Sequence, residues 1–122
     1  MELTITTHDT DISFKVDKAG DDKSVSIKVK NSDWGYQGAC DSLVEPEEWN
    51  QFIESLNELD RTLKGSAKFE SSDAKIEFLS TDNRGGLGVK GEIGIGTFTL
   101  LFEPISIDNM DFPKIVKKFS EA

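Results

Sequence analysis

One stretch decides the fold of this chain, residues 45–65, which reads EPEEWNQFIESLNELDRTLKG. Its apolar side chains recur every three or four residues, and at about 100° per residue they share one arc of a helix. The arc consists of Trp49, Phe52, Ile53, Leu56, Leu59 and Leu63. Pro46 suits the first turn, and Gly65 predicts a left-handed stop. We therefore predict one long amphipathic helix, Glu45 to Lys64, that buries this arc against a sheet.

Apolar and polar residues alternate with a period of two on both sides of this helix, the pattern of strands with one solvated face. Four runs precede the helix, the last of them continuing from Trp34 to Cys40, and four runs follow it. A short closing helix is predicted from Asp111 or Phe112 onward, with Asp111 as its cap and Pro113 in its first turn. The prediction is an α+β fold in a single domain, residues 1–122, with a largely antiparallel curved sheet of seven or eight strands. The long helix packs on that sheet.

The composition favours a binding protein with a basic partner. The 122 residues carry 14 Lys and Arg against 23 Asp and Glu, a formal charge of −9. Such a charge repels the phosphates of nucleic acids and anionic lipid headgroups. A basic protein would instead be attracted, and complementary fields raise association rates more than final affinity. We expect a protein partner, no nucleic acid and no membrane, and the oligomeric state stays open.

Cysteine and histidine usage indicates no metal, cofactor or redox chemistry. The chain has one Cys, Cys40, and one His, His8, so zinc spacings built on cysteine pairs are absent. The first residues contain no apolar run of secretory length, and no stretch approaches the ~20 apolar residues of a membrane span. We predict a cytoplasmic protein. His8 is expected in an exposed turn and Cys40 as a buried small side chain.

The run Gly86 to Gly91 satisfies the dinucleotide-binding pattern G-x-G-x-x-G. That pattern acts through a helix that opens at the glycines and directs its N–H groups at a pyrophosphate. Here the sequence reads as strand on both sides of the run. A glycine-rich strand that another backbone approaches closely is the better interpretation.

Carboxylates are numerous, and their pairing in sequence carries little information. Pairs occur at Asp9 and Asp11, at Asp21 and Asp22, and at Asp108 and Asp111, without the longer ligand series of a calcium loop. A glycosidase pair is defined by distance in space, so a carboxylate-dependent enzyme stays open. Asp60 breaks the apolar arc of the long helix, and we expect it at the edge of the sheet with Lys64 as its partner.

The candidate partner-binding residues are Glu47, Glu54 and Glu58, together with Trp34 and Tyr36. The three glutamates lie on the helix face opposite the apolar arc and supply a negative field. Trp34 and Tyr36 share one face of a strand. Aromatic side chains of this kind lie in a core or anchor a binding surface, and the sequence leaves both possibilities open.

Five segments together resemble the WapI-type family of small bacterial immunity proteins and its uncharacterised relatives. They are WGYQGAC from Trp34, the helix pattern from Trp49, GSAKF from Gly65, RGGLGV from Arg84 and FTLLFEPISID from Phe98. The likeness runs from about residue 34 to residue 119. The resemblance implies a cytoplasmic antitoxin that binds the toxic C-terminal domain of a polymorphic secreted toxin, often a nuclease. It implies no catalytic residues.

Three functions are therefore compared with the structure. The first is a non-catalytic immunity or interaction module. The second is a small-ligand binding domain with an apolar pocket between helix and sheet, and the third is a carboxylate-dependent enzyme.

Overall fold

The computed structural model describes residues 1–7, 9–32, 35, 37–71, 73–95 and 98–122, with the backbone alone at 95, 98–100, 103 and 104. The described residues form eight strands and two helices in the predicted order. The strands are β1 Glu2–Thr6, β2 Thr10–Ala19, β3 Asp22–Asn31, β4 Gln37–Val44, β5 Ser66–Glu70, β6 Ala74–Ser80, β7 Leu87–Ile95 and β8 Phe98–Ile107. The helices are α1 Pro46–Thr62 and α2 Phe112–Ser120. Each half of the chain thus contains four strands followed by one helix.

The eight strands form two antiparallel sheets, so the prediction of one curved sheet was wrong. Sheet A has the order β1-β2-β3-β4 and sheet B the order β5-β6-β7-β8. Alternation of apolar and polar residues identifies strands, but it does not say which strands exchange hydrogen bonds. Within each half of the chain, short turns lead each strand to pair with the next strand in the sequence. The long connection through α1 separates the two halves, so each half forms a sheet of its own.

The fourth strand begins later than predicted. It runs from Gln37 to Val44, whereas the sequence pattern placed it at Trp34 to Cys40. Trp34 and Tyr36, like His8, lie outside the described residues.

The predicted orientation of α1 is confirmed. Trp49, Phe52, Leu56 and Leu59 are buried, while Ile53 and Leu63 are partly buried at the margin of the core. The helix lies against β5 and α2. Its apolar arc therefore supplies the contact that attaches the helix to sheet B.

The end of α1 differs from the prediction. The helix ends at Thr62, and Leu63, not Gly65, is the first residue in the left-handed region, with φ of 57°. Its N–H donates to the carbonyl of Leu59 at 2.8 Å, and its side chain packs on the core. A left-handed non-glycine residue costs about 1–2 kcal/mol, and burial of a leucine side chain returns a similar amount. The packing of Leu63 thus moves the stop two residues earlier.

Aromatic rings join the two sheets and the two helices into one core. The ring of Phe52 lies 4.9 Å from that of Phe69, 5.5 Å from Phe119 and 6.1 Å from Phe78. Phe14 of sheet A lies 6.3 Å from Phe78 of sheet B and 5.3 Å from Phe119 of α2. Three of these pairs, Phe52 with Phe69, Phe52 with Phe119 and Phe14 with Phe119, meet edge-on. Edge-on pairs add about 0.5–1.5 kcal/mol each beyond the area they bury.

The start of α2 is organised by Asp108 more than by the predicted cap. Asp111 occupies the N-cap position, but its side chain makes no capping hydrogen bond. The backbone N–H groups of Asp111 and Phe112 donate to the carbonyl of Asp108 at 2.9 and 3.1 Å, and the Asp108 carboxylate accepts the N–H of Met110. This turn directs α2 back along the molecule, where Phe112, Ile115, Val116 and Phe119 are buried.

Phe52→Ala should lower the free energy of unfolding by about 3–5 kcal/mol, because truncation leaves a cavity among four rings. Leu56→Ala should cost about 2–5 kcal/mol for the same reason. The control is Glu54→Ala on the opposite face of the helix, expected within about 0.5 kcal/mol of the parent. Urea unfolding measures all three, and parent-like stability of both apolar variants would contradict this orientation of α1.

Candidate protein-binding surfaces

The predicted acidic face of α1 is exposed. Glu47, Glu54 and Glu58 all face solvent, and we call these three residues the acidic helix face. Glu58 differs from the other two, because both of its carboxylate oxygens accept hydrogen bonds from Arg61 at 2.6 Å. The pair is exposed, so its electrostatic contribution to stability is small. Glu47 and Glu54 have no ion-pair partner within 4 Å in the described part of the chain.

Glu48 and Asp60 have different surroundings on the same helix. The Glu48 carboxylate accepts the backbone N–H of Glu70 at 3.0 Å, which attaches the start of α1 to the edge of β5. Asp60 is half-buried, as expected at the margin of the core. The expected ion pair with Lys64 is not present among the described residues. Neither carboxylate belongs to the acidic helix face.

The outer face of sheet B is charged but balanced. Cross-strand neighbours alternate in sign, with Glu77 between Lys68 and Lys90 in one row. The next row places Lys75 between Glu70 and Glu92. Opposite charges at facing positions stabilise a sheet and leave little net field.

The outer face of sheet A has two such opposite pairs, Glu2 facing Lys15 and Asp11 facing Lys30, and its other charges face uncharged residues. Helix α1 differs from both sheets. Residues 45–63 contain six carboxylates and one arginine. The negative charge of the protein is therefore concentrated on α1, while the outer faces of the sheets carry opposite charges side by side.

A cleft that sequence reasoning missed lies between the two sheets at their edges. It has a volume of about 880 Å³ and is bordered by β1, β8 and α2. We call it the edge cleft. Its walls include Thr4 and Thr6 of β1, Ser106 of β8, and Lys114, Ile115 and Lys118 of α2. No local sequence signal could reveal it, because β1 lies at the start of the sequence whereas β8 and α2 lie near its end.

The place where a ligand pocket was expected is occupied by side chains. Trp49 and Phe52 of α1 lie against Phe69 of β5, with ring centroids 4.9–6.3 Å apart, and all three are buried. An apolar pocket between α1 and its sheet would need this space. The space between α1 and sheet B, where the ligand-binding alternative requires an apolar pocket, is thus filled by side chains.

Cys40 lies on β4 and is partly buried. Burial raises the pKa of its thiol above the ordinary value, and the carboxylates of Asp73 and Asp41 add to the rise. A raised pKa leaves less thiolate at neutral pH, and the thiolate is the nucleophile. The environment of Cys40 therefore opposes a reactive thiol.

Alkylation of Cys40 by iodoacetamide should be slower in the folded protein than in urea at pH 8. Because the pKa is raised, the midpoint of the pH–rate profile should move upward on folding. Mass spectrometry of quenched samples measures the rate in both states. A folded-state midpoint below that of the unfolded chain would show an activated thiol.

Two of the three glycines of the G-x-G-x-x-G run, Gly88 and Gly91, lie within β7, as predicted. A Cβ at Gly91 would approach the backbone carbonyl of Lys75 to 2.5 Å, so the neighbouring strand β6 requires glycine there. A Cβ at Gly88 would lie 2.9 Å from the side chain of Thr81 and 3.1 Å from the carbonyl of Ile105. Gly88 is therefore closely approached on both sides.

Gly86 precedes β7 and serves a turn. The carboxylate of Asp82 accepts the backbone N–H groups of Gly86 and Arg84 at 2.9 and 2.7 Å. These hydrogen bonds lower the pKa of Asp82, that from Gly86 most. The N–H groups of this turn are thus directed at a side chain of the protein itself.

Gly91→Ala should destabilise the protein by about 1–3 kcal/mol, because the added methyl meets a backbone carbonyl that cannot move freely. Gly94→Ala in the same strand is the control. Its Cβ would lie 3.4 Å from the nearest atom, an ordinary contact. Thermal unfolding of the two variants should separate them, and equal melting temperatures would remove the steric explanation of the motif.

Comparison with known proteins adds no family to these observations. No protein-family model matches the chain, and no curated protein sequence matches it. Within the described residues, no group of three or more His, Cys, Asp or Glu side chains is placed to hold a metal ion. The described helices are also too short or too polar to cross a membrane.

Proposed function

We propose that this chain is a non-catalytic protein-binding module, an immunity protein that neutralises a secreted toxin by binding its toxic domain. The observation that carries the proposal is the segregation of charge. Opposite charges alternate across the outer face of sheet B and face each other at two positions of sheet A, whereas six of the carboxylates lie in residues 45–63 beside a single arginine.

The acidic helix face explains how such a module would find a basic partner. Glu47 and Glu54 are exposed. Concentrated charge of one sign creates a field that raises the rate of encounter with a basic surface by 10-fold or more. A nuclease domain is such a surface, because it binds phosphates. The acidic helix would occupy the place of the nucleic acid.

Binding through α1 also agrees with the way the helix is held. Its apolar side packs into the core, where Trp49, Phe52, Leu56 and Leu59 are buried. A rigid helix presents its charges without an ordering cost on binding, and preorganisation of this kind increases affinity. The cytoplasmic location that an antitoxin needs belongs to the proposal.

The test of the proposal uses the C-terminal domain encoded by the neighbouring reading frame. Expression of that domain alone in a bacterial host should arrest growth, and co-expression of this chain should restore it. A domain that does not arrest growth, or an arrest that this chain does not relieve, would overturn the immunity function.

The role of the acidic helix face is tested on the same pair of proteins by stopped-flow association. Glu47→Lys combined with Glu54→Lys should slow association about tenfold at low salt and flatten its salt dependence, since exposed charges act over ~8 Å at physiological ionic strength. The matched control is Asp17→Lys combined with Glu121→Lys, two exposed positions outside α1 that change the net charge equally. Equal slowing by both pairs would assign the effect to net charge and remove the acidic helix face from the interface.

A further inference from the structure

The edge cleft exposes the unpaired side of β1. Met1 and Val16 exchange two backbone hydrogen bonds of 2.9 and 2.8 Å, and the N–H of Thr7 donates to the carbonyl of Thr10 at 2.9 Å. Hydrogen-bonded positions alternate along an antiparallel pair, so the odd-numbered residues of this strand bond to β2. The even-numbered residues direct their N–H and C=O groups away from β2. These residues are Glu2, Thr4 and Thr6.

The strand on the other side of the cleft is also an edge. The N–H of Thr81 donates to the carbonyl of Gly86 at 2.9 Å, so the even-numbered residues of β7 bond to β6 and the odd-numbered ones to β8. Leu87 and Val89 pair with Ile107 and Ile105. Ser106, between these two, directs its backbone N–H and C=O away from β7. Two open strand edges therefore border one cleft.

A side chain already bonds to one of these edge groups. Lys118 of α2 donates from Nζ to the backbone carbonyl of Glu2 at 3.4 Å. The backbone groups of Thr4 and Thr6 have no partner in the part of the chain that the structure describes. The edge of β5, by contrast, receives Glu48 and is covered by α1. The edge of β1 is left open along two residues.

The remaining walls of the cleft match the side chains of an extended segment. Ile115 lies in its floor at 5% exposure, and Ile105 is half-buried beside it. Lys118, near the end of α2, contacts the start of β1, so the other end of the cleft lies where β1 ends and α2 begins. The charged groups there are the carboxylates of Asp9, Asp108 and Asp111 and the ammonium group of Lys114, which lies in the first turn of α2. The cleft thus offers an apolar floor and a net acidic end, with three carboxylates against one lysine.

We propose that the edge cleft binds an extended segment of a partner protein, which adds a strand to β1 through Thr4 and Thr6 and faces Ser106 with its other edge. Main-chain hydrogen bonds supply affinity in this mode, and alternate side chains supply specificity. One set of side chains faces Ile115 and Ile105. A lysine or arginine of the segment lies against the acidic end. The inference rests on the proposed function only in that the partner is a protein, since the cleft is separate from the acidic helix face.

The probe for this site is a phage-displayed library of linear peptides, selected on the immobilised protein. Selected peptides should alternate apolar and polar residues and carry Lys or Arg near one end. A synthetic peptide of the selected sequence is then titrated into the protein by calorimetry. A selection that yields no binding peptide overturns the proposal.

Thr4→Pro tests the edge directly. Its N–H points away from β2, so proline removes a group that the fold does not use, and proline is tolerated on edge strands for this reason. Peptide affinity should fall about tenfold or more, the loss expected when interstrand hydrogen bonds disappear. The matched control is Ala39→Pro, whose N–H points away from β3 on the opposite edge of sheet A. It should leave the dissociation constant within about twofold, well inside the tenfold step that 1.4 kcal/mol represents.

If the Thr4→Pro variant melts at a lower temperature than the Ala39→Pro variant, the binding experiment is done with Ser106→Pro, a substitution on the facing strand. Amide hydrogen exchange by NMR gives a second readout. The N–H groups of Thr4, Thr6 and Ser106 should exchange rapidly in the free protein and slowly with peptide bound, whereas those of Leu3 and Ile5 should be slow in both. Peptide binding that leaves the exchange of Thr4 and Thr6 unchanged overturns the proposal.

The remaining outcomes separate this inference from the proposed function. A dimer in sedimentation that Thr4→Pro dissociates would assign the edge to a second copy of the chain and overturn the proposal. Glu47→Lys with Glu54→Lys should retain peptide binding. If this chain fails to rescue growth but peptide binding passes these tests, the proposed immunity function is overturned and the proposed binding cleft is supported. If rescue succeeds and no peptide binds, only the proposal for the cleft is overturned.

Discussion

The burial of Phe52 among four other rings is the contact on which the rest of the structure depends. Trp49 lies on α1 itself, and the other three rings come from β5, β6 and α2, so one side chain of α1 touches three other elements. Phe14 extends the cluster to sheet A. Each sheet has one apolar face, and neither can leave it in water at ~25 cal/mol per Å². The apolar faces of both sheets and the apolar sides of both helices are buried together in this aromatic cluster.

This packing also sets the distribution of charge at the surface. With Phe52 and Leu56 directed inward, the helical repeat directs Glu47 and Glu54 outward. On the outer face of sheet B, by contrast, facing positions carry opposite signs, and sheet A has two such pairs. The largest local excess of negative charge therefore lies on α1.

The edge strand β5 of sheet B is covered by a helix, whereas the edge strand β1 of sheet A is largely open. An open edge is a hazard, since its N–H and C=O groups attract strands from other chains. The β5 edge is covered by α1 and bonded to Glu48. Among the described residues, the β1 edge receives one side chain, Lys118, which donates to the carbonyl of Glu2. The protein covers the edge of β5 but leaves the edge of β1 open beside a cleft, at the risk of unwanted strand pairing. The proposed strand addition by a partner would explain why this edge is open.

The sequence by itself determined the elements, the buried face of α1 and the exposure of Glu47, Glu54 and Glu58, because these follow from periods of two and 3.6 residues that any local segment displays. It also identified Gly88 and Gly91 as strand glycines, since no helix follows them. Only the tertiary structure decided that the strands form two sheets, that α1 ends at Thr62, that Glu58 is bonded to Arg61, and that β1 and β8 border one cleft. Each of these depends on which distant segments meet. Hydrogen bonds between strands and contacts among side chains are set by the balance of burial over the whole core, and a local pattern contains no information about that balance.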